Sequence, residues 1–141
     1  MSVYKAFEHQ HLKEINQSLR QLQKGFDKNI NFIPYRGDFT RGIITSIYIN
    51  SDLSLIEATN LYSNYYKQHP STHISKTNID LKQVVNTNKC FLYLEKHNDK
   101  LLIVSIIDNL LKGASGQAVQ NMNLMFGFKE DAGLKLKPVA F

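Results

Sequence analysis

The residues able to do chemistry fall in four places. The first is His9 and His11, two positions apart in Glu8-His9-Gln10-His11. Imidazoles titrate near neutrality, so such a pair suits general acid–base work or metal ligation. The plainer reading is two ordinary polar residues at a helix entrance. No further ligands follow at a zinc-binding spacing, so no metal is expected. The second is Arg36-Gly37-Asp38-Phe39-Thr40-Arg41-Gly42. An arginine at a strand entrance can grip a carboxylate or phosphate with its planar fork. A solvent-exposed turn is the plainer reading, and the Arg-Gly-Asp triplet within it is too short to carry an adhesion role. The third runs from Lys112 to Asn123, where Gly113, Ala114, Ser115 and Gly116 lead from an apolar strand into a helix. Small residues there allow a ligand or another backbone to approach closely. Gln117 and Asn121 lie one turn apart on that helix, with Gln120 and Asn123 nearby, which gives either a polar contact surface or amides in solvent. The segment is not a Gly-x-Gly-x-x-Gly fingerprint. The fourth is Cys90. It opens the apolar run Cys90-Phe91-Leu92-Tyr93-Leu94 and reads as a buried structural thiol, not a nucleophile.

The elements that must carry these residues can be read in order. Leu12, Ile15, Leu19 and Leu22 recur at three- and four-residue steps, predicting an amphipathic helix over residues 11–24 with Gly25 as its left-handed cap. Apolar–polar alternation predicts a short strand over 29–34 and a loop over 35–40. The β-branched run 42–50 is the strongest strand signal and reads as buried on both faces. Ser54 and Glu57 have capping-box spacing, so a helix starts there and ends before Pro70. Weaker strands are expected at 71–75 and 81–85. Residues 90–95 and 100–107 flank the turn His97-Asn98-Asp99 as a hairpin. A loop over 108–115 and a last helix over 117–126, ended by Gly127, complete the order. The expected fold is α+β: a mixed, mainly antiparallel β-sheet with helices packed on one face.

Composition narrows the class. The chain has 141 residues, 43% hydrophobic and 21% charged, which suits a globular domain rather than a disordered one. The net charge of +5 comes from scattered lysines and arginines with no block of like charge, so nucleic acid is not an expected partner. A site for acidic, phosphorylated ligands gives the same bias. No apolar run is long enough to span a bilayer, so no membrane association is expected. One cysteine and no basic-then-apolar leader fit a reduced, cytoplasmic setting. The length falls short of the two domains that a complete dinucleotide-dependent enzyme needs.

The third segment is recognisable as a motif. The run from Ile106 to Gly127, centred on Asp108-Asn109-Leu110-Leu111-Lys112-Gly113-Ala114, resembles the C-terminal signature of the N-acetyl-gamma-glutamyl-phosphate reductase family. More distantly it is similar to the aspartate-semialdehyde dehydrogenases. Arg41-Gly42-Ile43, His9-Gln10-His11 with Glu14-Ile15, Asn88 with Cys90, and Glu130 through Gly133-Leu134 match further family motifs in the right order.

This resemblance implies an NADP-dependent reductase of arginine biosynthesis that converts N-acetyl-gamma-glutamyl phosphate to the semialdehyde through a cysteine thioester. The nucleophilic cysteine, the NADP-binding domain and the opening strand of the substrate domain are expected upstream of Met1, so the chain reads as a C-terminal fragment, inactive alone. The resemblance divides it into 1–111, for substrate binding and dimerisation, and 112–141, a C-terminal helix and tail returning to the cofactor domain. It makes His9 or His11 the acid–base group and gives Arg41, or Arg36, the substrate's anion. Gly113, Ala114, Gln117 and Asn121 are placed near the nicotinamide, and a homodimer or tetramer is implied. The family's Pro-His-Leu-Leu-Pro-Met is replaced here by Pro34-Tyr35-Arg36-Gly37-Asp38-Phe39-Thr40, and its Thr-Pro after the histidines by Leu12-Lys13. These changes leave the acyl group open between acetyl and another such as succinyl. The alternative is a stand-alone binding or oligomerisation domain derived from the family, without activity.

Overall fold

The computed structural model describes residues 1–138. The chain forms two compact units, Met1–Thr40 and Arg41–Phe141. The expected C-terminal segment 112–141 therefore extends partly beyond the described residues.

In the first unit, β1 (Ser2–Val3) pairs antiparallel with β2 (Tyr35–Arg36), and α1 (His11–Leu22) lies between them in sequence. The strand expected over 29–34 does not form, and the pairing falls at the start of the expected loop. Residues 4–7 do run beside that segment, with the N–H groups of Tyr4 and Phe7 donating to the carbonyls of Pro34 and Phe32. Lys5 and Phe7 are left-handed, with φ of 44° and 61°, so a regular ladder cannot continue there. Helix α1 stops at Leu22. Gly25, φ 84°, serves the turn after it, closed by Phe26 N–H to the Gln23 carbonyl, and does not cap the helix directly.

The second unit is a four-stranded sheet in the order β3-β6-β5-β4, formed by β3 (Ile43–Asn50), β4 (Thr72–Ser75), β5 (Cys90–His97) and β6 (Lys100–Ile107). The β3/β6 and β5/β6 pairs are antiparallel and β4/β5 is parallel. Asn98, φ 50°, turns the β5–β6 hairpin. Helix α2 (Leu55–Tyr66) begins at the expected capping box: Ser54 Oγ accepts the Glu57 N–H, and Glu57 accepts the Ser54 N–H at 2.8 Å. Its Ala58 packs on Leu94, Leu101 and Ile103 on one sheet face. The other face buries Ile106 against Ile79 and Val84. The segment expected as a strand over 81–85 is instead a 3-10 turn, Leu81–Gln83. Asp80 accepts the Lys82 N–H, and Gln83 accepts the Asp80 N–H in return, a second capping box that competes with strand formation.

Strand β3 is present as expected, but it is not buried on both faces. It is the sheet's edge, and α2 packs over β4 and β5. Ile44, Ile47, Tyr48 and Ile49 are therefore exposed, Tyr48 at 70%. After β6 the chain makes a π-helical turn (Leu111–Ser115) and then α3 (Gly116–Met125). A Schellman cap ends α3: the Phe128 N–H reaches the Asn123 carbonyl and the Gly127 N–H the Leu124 carbonyl, with Gly127 at φ 71°. Among the described residues no helix is long and apolar enough to cross a membrane.

Candidate functional site

The histidine pair sits where the first unit turns into α1. His9 is half-buried; His11 is the exposed first residue of the helix. The His11 N–H points at His9 Nδ1 at 3.3 Å. That contact assigns Nδ1 as the acceptor, so neutral His9 carries its proton on Nε2. Aromatic edges hold the ring: centroid distances are 5.4 Å to Tyr4, 4.6 Å to His11 and 5.5 Å to Phe32. Burial, followed by the charges of His11 and Lys5, lowers the His9 pKa, against an opposing pull from Glu14. Local packing thus gives His9 a fixed orientation and a neutral resting state.

Arg36 stands beside the same aromatic group. Its guanidinium carbon lies 4.4 Å from the centre of the Tyr4 ring. Contact with a π-face restrains the guanidinium, and Arg36 is exposed, so its N–H groups remain accessible. No ion pair to Arg36 forms among the described residues. Tyr4 therefore has an oriented imidazole on its edge and an exposed guanidinium over its face.

Arg41 has different surroundings. Its Nε lies 3.0 Å from Asp108 Oδ2 and its Nη2 3.3 Å from Oδ1, while Nη1 donates to Asn86 Oδ1. Asp108 is fully buried. Burial pushes its carboxyl pKa up, but the N–H groups of Asn86, Leu111 and Leu110 and the guanidinium outweigh that and hold it below the ordinary value. Next to it, Asn109 Oδ1 accepts the Gly42 N–H at 2.6 Å. Asp108 opens the recognised motif without a role of its own in the sequence, and nothing there singles out Asn86. The available signal was a lone acid directly after a buried apolar strand.

Gly113, Ala114, Gln117 and Asn121 are all exposed. Gly113 lies in the π turn, where its N–H donates to the Asp108 carbonyl at 3.0 Å and the Ser115 N–H to the Leu110 carbonyl at 3.1 Å. The amides of α3 divide into two groups. Asn123 is buried and donates to the carbonyls of Glu130 and Ala132. Gln120 accepts from Lys112 Nζ at 2.7 Å and donates to Glu130 at 2.6 Å. Those two fasten the following segment, whereas Gln117 and Asn121 face outward. Asn88 packs against the start of α3: a Cβ at Gly116 would lie 2.2 Å from its Oδ1. Cys90 is half-buried, with Sγ 3.5 Å from Ser105 Oγ. Among the described residues no three His, Cys, Asp or Glu side chains gather as a metal site.

Comparison with known proteins adds to this geometry. Residues 1–109 match the family described as semialdehyde dehydrogenase, dimerisation domain. The whole chain aligns with proteins named N-acetyl-gamma-glutamyl-phosphate reductase: it is 64% identical to that of Bacteroides fragilis, 61% to that of Parabacteroides distasonis and 57% to that of Flavobacterium johnsoniae. It covers 44%, 44% and 43% of their lengths, so it spans less than half of these curated relatives.

Proposed function

Because the chain belongs to the semialdehyde dehydrogenase dimerisation-domain family, we propose that it is the substrate-binding and dimerisation half of an N-acetyl-gamma-glutamyl-phosphate reductase. The oriented His9 imidazole, sharing Tyr4 with an Arg36 that makes no ion pair among the described residues, is the observation that carries this reading on the structural side.

Of the two histidines, His9 is the one that acts. Its Nδ1 is engaged, so Nε2 is the atom from which a hydrogen bond or proton reaches the acyl oxygen of the substrate. Arg36 takes the substrate's carboxylate or phosphate through its accessible N–H groups. A thiolate displaces phosphate from the acyl phosphate to give a thioester, and reduction of that thioester releases the aldehyde and regenerates the thiolate. Cys90 does not supply the thiolate: it is half-buried within β5 and faces Ser105. The nucleophile belongs to the nucleotide-binding half of the full-length enzyme.

The exposed Gly113 and Ala114 fit close approach by a flat ring, with Gln117 and Asn121 presenting amides beside it. A bound NADPH would supply the hydride there. The exposed apolar side chains of β3 fit pairing with a second copy. A biosynthetic enzyme of this kind works in the cytoplasm.

The test is phosphate-dependent, NADP-linked oxidation of N-acetylglutamate 5-semialdehyde. The full-length reductase turns over and the isolated 141-residue chain does not. His9→Asn lowers kcat by about 10²–10⁴, and His11→Asn has the smaller effect. Turnover by the isolated chain, or unchanged turnover in His9→Asn, would sink this reading.

A further inference from the structure

Asp108 is fully buried, yet nothing in the chemistry above uses it. Its carboxylate is saturated. Oδ1 accepts the N–H groups of Leu110 and Leu111, both at 2.8 Å, and Arg41 Nη2. Oδ2 accepts the Asn86 N–H at 2.7 Å and faces Arg41 Nε. The two N–H groups bound to Oδ1 are the ones that would be orphaned as the chain leaves β6 and enters the π turn. The turn's own hydrogen bonds begin at the same place, with the Gly113 N–H on the Asp108 carbonyl. The orientation of Asp108 is therefore passed directly into residues 110–115. Arg41 fixes that orientation with two contacts, and its remaining amino group is held by Asn86. With Nη1 and Nη2 both hydrogen-bonded within the chain and Nε buried 3.0 Å from Asp108 Oδ2, though without a hydrogen bond of its own, the guanidinium has little left with which to clamp a substrate anion.

We propose that Arg41 is a positioning residue: with Asp108 it sets the main chain of the turn that carries Gly113 and Ala114, and it does not itself hold the substrate. The arginine next to the central glycine motif is thereby separated from the anion-gripping role, which falls to Arg36. The importance of the turn rests on the functional reading above; the pairing rests on the geometry alone. A lysine at 41 would keep the charge but lose the fork, so it could meet only one carboxylate oxygen well.

The test uses Arg41→Lys, Arg41→Met and Asp108→Asn in the 141-residue chain, followed by backbone amide exchange in NMR. Expected is exchange accelerated about tenfold or more at residues 110, 111, 113 and 115 in Arg41→Met, a smaller acceleration in Arg41→Lys, and unchanged β6 amides. Unchanged exchange at the turn would overturn the proposal. Full-length reductase carrying Arg41→Lys provides the second arm. The proposal expects kcat to fall about tenfold while KM for the acyl phosphate stays within about twofold. A raised KM at constant kcat would assign Arg41 to the substrate and overturn it. If the unaltered full-length protein shows no reductase turnover, the functional reading falls and the exchange data alone decide the pairing.

Discussion

Replacing Asp108 by asparagine tests the centre of the second unit. The amide can keep one oxygen on the N–H groups of Leu110 and Leu111, but its NH2 then faces the Asn86 N–H and Arg41 Nε, donor against donor. Removing one partner of a buried ion pair costs about 3–5 kcal/mol. The Arg41 side chain is 29% exposed, so water relieves part of its loss and the lower end applies. About 3 kcal/mol in a domain of this size lowers Tm by roughly 6–12 °C. Circular dichroism during thermal and urea unfolding measures it. Arg41→Met should cost less, because Asp108 then keeps its three backbone donors, and the double variant should show a coupling of about 1–3 kcal/mol. The pH arm has a definite sign. Asp108 has a native pKa below 3.8, so its stabilising contribution is present above pH 3.8 and is lost as pH falls through the native value. The gap between the native chain and Asp108→Asn is therefore widest near neutrality and narrows in acid. An Asp108→Asn chain within about 0.5 kcal/mol of the native one at pH 7 would refute the reasoning.

Four further measurements address other parts of the molecule. Gly116→Ala should destabilise by about 1–3 kcal/mol, because its Cβ would lie 2.2 Å from Asn88 Oδ1 and 2.9 Å from the Leu111 carbonyl, and Asn88→Ala should recover part of the loss. Gly113→Ala should raise Tm slightly, because alanine recovers about 0.5–1 kcal/mol in a helical turn and the new Cβ meets only ordinary contacts at 3.6 Å, while weakening NADP-linked turnover in the full-length reductase; a lowered Tm would show that the fold itself needs this glycine. Tyr48→Glu should weaken self-association about 30-fold in sedimentation, the loss of one buried hot-spot residue, and an unaltered association constant would place the contact elsewhere. His9 should titrate below 6.5 in NMR, with its neutral form protonated on Nε2. A depressed native value means that the unfolded chain takes up the proton first, so this contribution to stability is full above pH 6.5 and declines as pH falls below it. A midpoint at or above 6.5 would contradict the packing described for the ring.

Local signals translated into structure where the energy is local. The Ser54/Glu57 box started α2, and the apolar continuity of residues 101–107 became the central strand β6, with Leu101, Ile103 and Ile106 buried. The same kind of run at 43–49 looked as buried and is not. Composition reports the tendency to extend, but exposure depends on where α2 comes to rest and on what covers the edge. At 29–34 the alternation was real, yet a ladder needs two regular strands, and left-handed Lys5 and Phe7 deny it the second. At 81–85 the reading missed Asp80 and Gln83, whose side chains offered the backbone a tighter alternative. Residue types marked Arg41 as able to grip an anion, read there as the substrate's. They could not show that its anion, Asp108, lies 67 residues away within the same chain.

The glycines of the last motif carry the final distinction. Gly116 is explained by the fold, since Asn88 fills the space a side chain would take. Gly42 is explained twice, by φ of 114° and by the Leu81 side chain pressed against it. Gly113 has neither reason: its backbone is outside the left-handed region, and a Cβ there would meet the Asp108 carbonyl and the Ile107 side chain at an ordinary 3.6 Å. A glycine in a helical turn is entropically unfavourable relative to alanine by about 0.5–1 kcal/mol. That penalty stands uncompensated within this chain, although the turn is held in place by the Asp108 carboxylate and by the turn's own hydrogen bonds from Gly113 and Ser115. A turn with an exposed glycine that the fold does not require leaves room for something outside the chain to come close. Under the function proposed above that would be the flat nicotinamide ring, which a side chain at 113 would hold away.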